Sequence, residues 1–248
     1  MPLLLTFLRR YAHVEAMAVT PFVVGRRVLD LGAGEGYVAS ALSAGLDGVG
    51  KTPRAVPRSA PGTVWVCACD VGRFRQTPGP YVVYDGERLP FPDDAFDTTM
   101  LLLTLHHCAD PERVLDEALR VTRHRLIVTE SVFRNRVDRF WLHLLDGRLN
   151  ARRHGGAMNV PLSFRTAEGW RALFAARGLR LVQTRCIGAW WERLVHHPVL
   201  FVVDTQTSAV PQTPRAGLVT RPRRGSTPRR NGPWRRGANP DRPPAGAG

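Results

Sequence analysis

Apolar positions along this chain come in short runs, and the runs switch between two periods. Residues 3–18 place Leu4, Leu5, Leu8, Tyr11, Ala12 and Glu15 near helical spacing, which predicts an amphipathic helix packed over a ligand site or against a sheet. Phe22–Val24 with Val28–Leu31 predicts a first strand, Tyr37–Leu46 a helix, and Thr63–Cys69 a second strand that ends at Asp70. Tyr81–Tyr84 and Thr98–Leu105 read as two more strands, Glu112–Thr122 as a helix, and Arg125–Glu130 as a strand. Phe140–Leu145 predicts an aromatic-rich helix, Asn150–Asn159 a polar loop, and Thr166–Arg177 a helix capped by Thr166 and stopped by Gly178. Leu179–Ile187 and Val199–Asp204 are the last two strands, while the Pro- and Gly-rich stretch 45–62 has no assigned structure. Strands interleaved with helices argue for an α/β, doubly wound, mostly parallel sheet covered on both faces. Such a sheet binds ligands beyond the carboxyl ends of its strands. Asp30, Asp70, Asp85, His106 and His107 all fall at those ends.

The most informative run is Val28-Leu29-Asp30-Leu31-Gly32-Ala33-Gly34-Glu35-Gly36-Tyr37. A strand, a tight glycine turn and a helix let backbone approach a ligand closely, because no Cβ stands in the way. The spacing is not a pyrophosphate cradle. The dinucleotide fingerprint needs G-x-G-x-x-G, and the P-loop needs a Lys followed by Ser or Thr. An acid at the mouth, Asp30, suits an ammonium or sulfonium better than a phosphate.

Composition adds a boundary. The 248 residues are 44% apolar, enough for one sizeable core. The formal charge is +14, of which residues 208–248 carry +8 through nine Arg and one Asp. That segment is dominated by Pro, Gly and Arg and has Trp234 as its one aromatic residue. It cannot bury enough apolar surface to offset chain entropy and is expected to be a disordered tail. The expected organisation is a helix over residues 1–20, a domain over 21–207 and the tail over 208–248. Cys67, Cys69, Cys108 and Cys186 lack metal-ligand spacing and read as reduced cysteines of a cytoplasmic protein with no metal site. Met1–Leu8 is too short for a secretory signal and has its arginines on the wrong side. No run reaches the ~20 apolar residues of a membrane span.

Two further motifs follow in order: Asp85-Gly86-Glu87-Arg88-Leu89-Pro90-Phe91 and Leu105-His106-His107-Cys108-Ala109-Asp110-Pro111. With the glycine turn, they resemble the class I S-adenosylmethionine (SAM)-dependent methyltransferases, in the type 11, UbiE-like branch, from about Val28 to Val132. The resemblance implies a Rossmann-like sheet of seven strands with the last one antiparallel, SAM as cofactor and a small-molecule methyl acceptor. It also implies site residues. Gly32, Gly34 and Gly36 would line the amino acid part of the cofactor, and Asp30 would sit near its ammonium. Asp70 would take the ribose hydroxyls. Asp85, with Gly86 and Glu87, would flank the adenine, and Leu103 would complete the cofactor site. His106 and His107 would lie where the acceptor approaches, as candidate bases. Trp141, His143, Arg152, Arg153, His154, Trp190, Trp191, His196 and His197 are candidates for the acceptor pocket.

Plainer roles stand beside these. Asp70 and Asp85 also suit turns, either His could cap the next helix, and the tryptophans suit packing against the sheet. Two other functions stay open. One is a nucleic-acid-associated protein that uses the basic tail in a salt-dependent, sequence-blind way. The other is a methyltransferase-like binding protein without catalysis, its ribose acid displaced by the long 45–62 connection.

Overall fold

A computed structural model describes residues 2–48, 64–153, 162–187 and 197–205. These all lie within one compact unit, Met1–Ser208; a second unit, Ala209–Gly248, contains none of the described residues. The expected tail, the 45–62 connection from residue 49 onward, and His154, Trp190, Trp191 and His196 therefore fall outside the described residues.

Seven strands form one sheet: β1 (Arg27–Leu31), β2 (Trp65–Asp70), β3 (Tyr81–Val83), β4 (Phe96–Leu102), β5 (Thr122–Ser131), β6 (Arg180–Cys186) and β7 (Pro198–Asp204). Their spatial order is β3-β2-β1-β4-β5-β7-β6. Pairs from β3 through β5 are parallel, and β7 runs antiparallel to both β5 and β6. The α/β, mostly parallel sheet read from the sequence is the one observed, with the last strand inserted between its two predecessors. The helices are α1 (Pro2–Val19), α2 (Tyr37–Gly48), α3 (Pro111–Val121), α4 (Arg136–Arg153) and α5 (Ala167–Ala176). Among the described residues no helix is long and apolar enough to cross a membrane.

The two faces of the sheet follow from the two-residue period of a strand. Leu29, Leu31, Cys67, Cys69, Leu101, Leu126, Val128, Phe201 and Val203 pack with Leu115, Ala118, Trp170 and Phe174 of α3 and α5. Val28, Val66, Ala68, Met100, Ile127, Leu200 and Val202 pack with Ala16, Val19 and Leu42 of α1 and α2. Because both faces are covered, β5 and β7 are buried along nearly their whole length rather than at alternate positions. The same alternation puts Asp30 and Asp70 on the α1/α2 face, where they replace apolar residues at the ends of their strands.

Three boundaries differ from the sequence reading. The first strand does not begin at Phe22. Thr20–Phe22 forms a 3-10 turn with Pro21 in its first turn, where the fixed φ of proline fits. Val24 is instead tied to β4 through Thr98 Oγ1, which accepts from the Val24 amide at 3.0 Å and donates to its carbonyl at 2.7 Å. The strand expected to reach Leu105 stops at Leu102, because Leu103 adopts φ +54 and a 3-10 turn follows over Leu105–His107. The helix read from its aromatics as 140–145 begins at Arg136, where Asn135 Oδ1 accepts from the Asp138 amide at 2.8 Å and so supplies an N-cap. It also takes in Asn150–Arg153, expected to be a loop. Thr166 caps α5 as predicted, accepting from the Gly169 amide at 3.0 Å, and Gly178 ends it at φ +67.

Trp170 is completely buried and lies 6.2 Å from the Phe174 ring. Trp170→Ala is expected to cost about 3–5 kcal/mol of stability. In urea unfolding this reads as a lower midpoint at an unchanged slope.

Candidate functional site

The glycine turn leaves β1 at the carboxyl edge of the sheet, and most of its amides are spent within the protein. Gly32 and Ala33 donate to the Cys69 carbonyl at 2.8 and 3.2 Å, and Gly36 donates to Ala33 at 2.9 Å. Gly34 donates to Asp70 Oδ2 at 2.7 Å. The turn is thus stitched to the end of β2, and what it offers a ligand is room rather than free N–H groups. Gly32 sits at φ +79, and a Cβ there would lie 2.2 Å from Thr104 Cγ2, so this glycine permits the β1 and β4 exits to touch. Gly34 differs: at φ +53 an added Cβ would meet nothing within 4 Å.

The segment that follows β2 closes the outer side of the turn. Gln76 donates its amide to the Glu35 carbonyl at 2.9 Å. Thr77 Oγ1 donates to Gly36 at 3.0 Å, and Tyr81 Oη bridges Gly34 and Gly72 at 2.9 and 3.0 Å. The packing of Thr77 on Gly36, where a Cβ would lie 2.6 Å from Oγ1, explains the third glycine.

Asp30 is 2% exposed. Burial, then the neighbouring Asp70 carboxylate, pushes its pKa up to about 7; the Ala39 amide offsets only part of this. Its Oδ2 has no hydrogen-bond partner among the described residues. A buried carboxylate oxygen without a donor costs free energy that a cationic ligand group recovers. Asp70 is better served: Oδ1 accepts from the Val71 amide at 2.7 Å and Oδ2 from Gly34. Burial still raises its pKa, against these amides. Two oxygens offer about four lone-pair sites, so acceptor capacity remains.

Asp85 is exposed and forms a local turn. Its Oδ1 accepts from the Glu87 and Arg88 amides at 2.8 and 2.9 Å, and those bonds hold its carboxyl below the usual range. Its second oxygen makes no bond to these amides. Gly86 takes φ +83. The Glu87 side chain turns away to Arg113 of α3, at 3.1 Å, so only its backbone belongs to the turn. Leu103, with the positive φ that non-glycine residues rarely adopt, donates its amide to Thr129 at 2.8 Å and redirects the chain across the strand ends.

The two histidines are not equivalent. His106 is 2% exposed. Its Nδ1 lies 2.5 Å from Glu130 Oε2 and its Nε2 3.5 Å from Asp146 Oδ2. Burial opposes its charge, but the Glu130 and Asp146 carboxylates outweigh that and push its pKa up to about 9. His106 is thus a buried partner of Glu130 and Asp146. Glu130 is itself fully buried and accepts from the Leu105 amide at 2.8 Å through Oε1. The His107 ring lies 4.0 Å from that of His106, tilted by 46°, and keeps about a third of its side chain exposed, with Nε2 3.7 Å from Asp146. Neither caps α3; Asp110 does, accepting from the Arg113 amide at 3.0 Å.

Phe164 stacks on the far side of His106 at 4.8 Å and meets the His143 ring at 5.1 Å. Trp141 is about half exposed on α4, not packed on the sheet. His197 is buried and pairs with Asp138 of α4 at 3.3 Å. The side chains of Arg152 and Arg153 lie outside the described residues. Glu130, Asp146 and Phe164 were missed in the sequence. Glu130 ends a strand as Asp30 and Asp70 do, and that was the one available signal.

Residues 29–127 match the model of the methyltransferase domain family. The chain is 32% identical over 141 residues to a demethylmenaquinone methyltransferase of Paenarthrobacter aurescens, covering 53% of this chain and 47% of that one. It is 31% identical over 169 residues to an uncharacterized methyltransferase of Mycobacterium tuberculosis, covering 63% and 61%. The chain thus spans about half to three fifths of these curated relatives' length. Two solved structures share the fold. One is a putative methyltransferase of Haloferax volcanii, solved in complex with the Trm112 activator (TM-score 0.57, 17% identity, 80% of this chain and 91% of that one). The other is a SAM-dependent methyltransferase of Thermotoga maritima (TM-score 0.52, 19% identity, 81% and 92%). Residues 29–127 are thus similar to the methyltransferase domain family, and the sheet order β3-β2-β1-β4-β5-β7-β6 gives the fold that these two solved structures share.

Proposed function

We propose that this protein transfers a methyl group from SAM to a small-molecule acceptor. One observation carries the reading: a buried Asp30 carboxylate, with an oxygen lacking a donor, beneath a glycine that leaves open space where a side chain would be. That pairing of negative charge and vacated volume suits the ammonium end of the cofactor. Asp70 is assigned to the ribose hydroxyls through its remaining lone pairs, and the second oxygen of Asp85 to the adenine amine. One related fold, a magnesium protoporphyrin IX methyltransferase of Synechocystis, is described with bound SAH, the demethylated cofactor.

The sulfonium supplies an activated methyl, so the protein's task is alignment. Orientation alone is worth up to ~7–11 kcal/mol. The exits of β1, β2 and β4 fix the cofactor's position, and the Leu105–His107 turn faces the acceptor side. His107, half withdrawn from solvent and steered by Asp146, is the residue placed to receive or direct an acceptor proton. His106, held between two carboxylates, presents the ring beside which the tilted His107 ring lies. The four free cysteines, with the Cys67 and Cys69 thiols pushed by burial up to about 11 and 12, suit a reducing cytoplasm.

Calorimetry with SAM and SAH tests the reading. Micromolar binding is expected, weakened at least ~10-fold by Gly34→Ala. That change fills the ligand's space without meeting protein atoms, at a backbone cost of about 1–2 kcal/mol for the positive φ. No binding of either compound to the intact chain would overturn the assignment.

The raised pKa of Asp30 gives a second test. An ionised Asp30 is needed to hold a cation, so SAM affinity is expected to rise from pH 5 to pH 8 with an inflection near 7, and to be flat in Asp30→Asn. In the free protein the sign reverses. A folded-state pKa above the unfolded value adds stability that is complete below about 4 and lost as pH rises through 7. Asp30→Asn is therefore expected to melt higher than the parent at pH 8, the gap closing toward pH 4.

A further inference from the structure

The cluster beyond the cofactor end of the sheet has the makings of a cation site. His106, His107 and Asp146 each offer one donor atom, and the three lie within 4.8 Å of one another. His106 Nε2 and His107 Nε2 are 3.5 and 3.7 Å from the same oxygen, Asp146 Oδ2. Donors around a tetrahedral zinc-type ion, at bond lengths of about 2.0–2.1 Å, stand about 3.3 Å apart. The observed spacing is thus a few tenths of an ångström from ligation on two of its three edges.

A second observation makes the cluster more than a chance meeting. Metal-bound imidazoles commonly hand their other ring nitrogen to a carboxylate, which fixes ring orientation and raises ligand basicity. Here His106 Nδ1 faces Glu130 Oε2 at 2.5 Å. Glu130 is in turn fixed by the Leu105 amide, two residues before the second histidine. The donors come from the turn after β4 and from α4, and the orienting carboxylate from the end of β5. Phe164 stacks on His106 at 4.8 Å, and the His107 ring leans on His106 at 4.0 Å, which limits rotation of the His106 imidazole. Two carboxylates, Glu130 and Asp146, surround this pair of rings.

We propose that His106, His107 and Asp146 bind one divalent first-row transition ion of the zinc type, with Glu130 as the carboxylate that orients His106. Three protein donors leave at least one coordination position open. At this end of the sheet that position would take the oxygen of a phenol or enol acceptor and lower its pKa. This last step rests on the methyl-transfer reading; the ion site itself does not.

The test uses the untagged full chain stripped with chelator and titrated with Zn2+ or Co2+ alone. One equivalent is expected to bind at micromolar affinity or better. Co2+ should give the visible absorption of a four-coordinate ion, bleached by Zn2+. His107→Gln and Asp146→Asn, both at partly exposed side chains, should each abolish the Co2+ spectrum while thermal melts by circular dichroism stay cooperative. Glu130→Gln should keep the spectrum and weaken binding about 10–100-fold. His143→Ala, one turn away on α4, should change neither. No saturable binding, or binding that persists in both His107→Gln and Asp146→Asn, would overturn the site. SAM binding without ion binding would remove this proposal and leave the function intact; ion binding without SAM binding would do the reverse.

Discussion

The bond from the Gly34 amide to the Asp70 carboxylate is the constraint around which this end of the molecule is organised. It joins the exits of β1 and β2 through a backbone donor and a buried charge, a pairing stronger than a neutral hydrogen bond. Once the turn is held there, Gly32 must lie against Thr104, and Tyr81 can bridge Gly34 and Gly72. The same arrangement leaves Asp30 behind the turn with one oxygen unsatisfied. Two carboxylates on one sheet face, close enough for each to disfavour the other's charge, are a destabilising feature in isolation. A fold retains such a pair where a ligand supplies the missing positive charge.

The end of β5 repeats the logic with a different solution. There a buried glutamate is satisfied internally by an imidazole ring and a backbone amide, so Glu130 and His106 form a closed pair. Removing one partner would strand the other in a site that excludes water, which is more damaging than never having buried either. The β1 and β2 acids keep spare acceptor capacity, and the β5 acid spends one oxygen on the His106 ring and the other on the Leu105 amide. Leu103, strained between them, marks where the chain changes from one regime to the other.

Much of this was legible in the residues. Strand and helix periods gave the sheet class and put Asp30 and Asp70 at the carboxyl ends of their strands. Thr166 and Gly178 announced the two ends of α5 by their chemistry. What the residues hid came from contacts distant in sequence. A 3-10 turn at Pro21 looked extended because Thr98, more than seventy residues on, stands in for a strand neighbour. The difference between His106 and His107 is invisible in a His-His pair, since it depends on which ring meets Glu130 and Phe164. The start of α4 was missed because Asn135 and Arg136 carry no apolar signal, and with it went Asp146.

The insertion of β7 between β5 and β6 has a consequence for how the chain is made. β5 is apolar on both faces, yet its outer edge stays open until Pro198–Asp204 has been synthesised. Arg125 and Arg180 then grip Asp204 from the two flanking strands. Until then the ribosome-bound chain exposes an unpaired hydrophobic edge, the kind of surface that recruits neighbouring polypeptides or chaperones. Completion of the sheet is thus a late event during translation, governed by some seventy residues of separation between partners rather than by local helix formation.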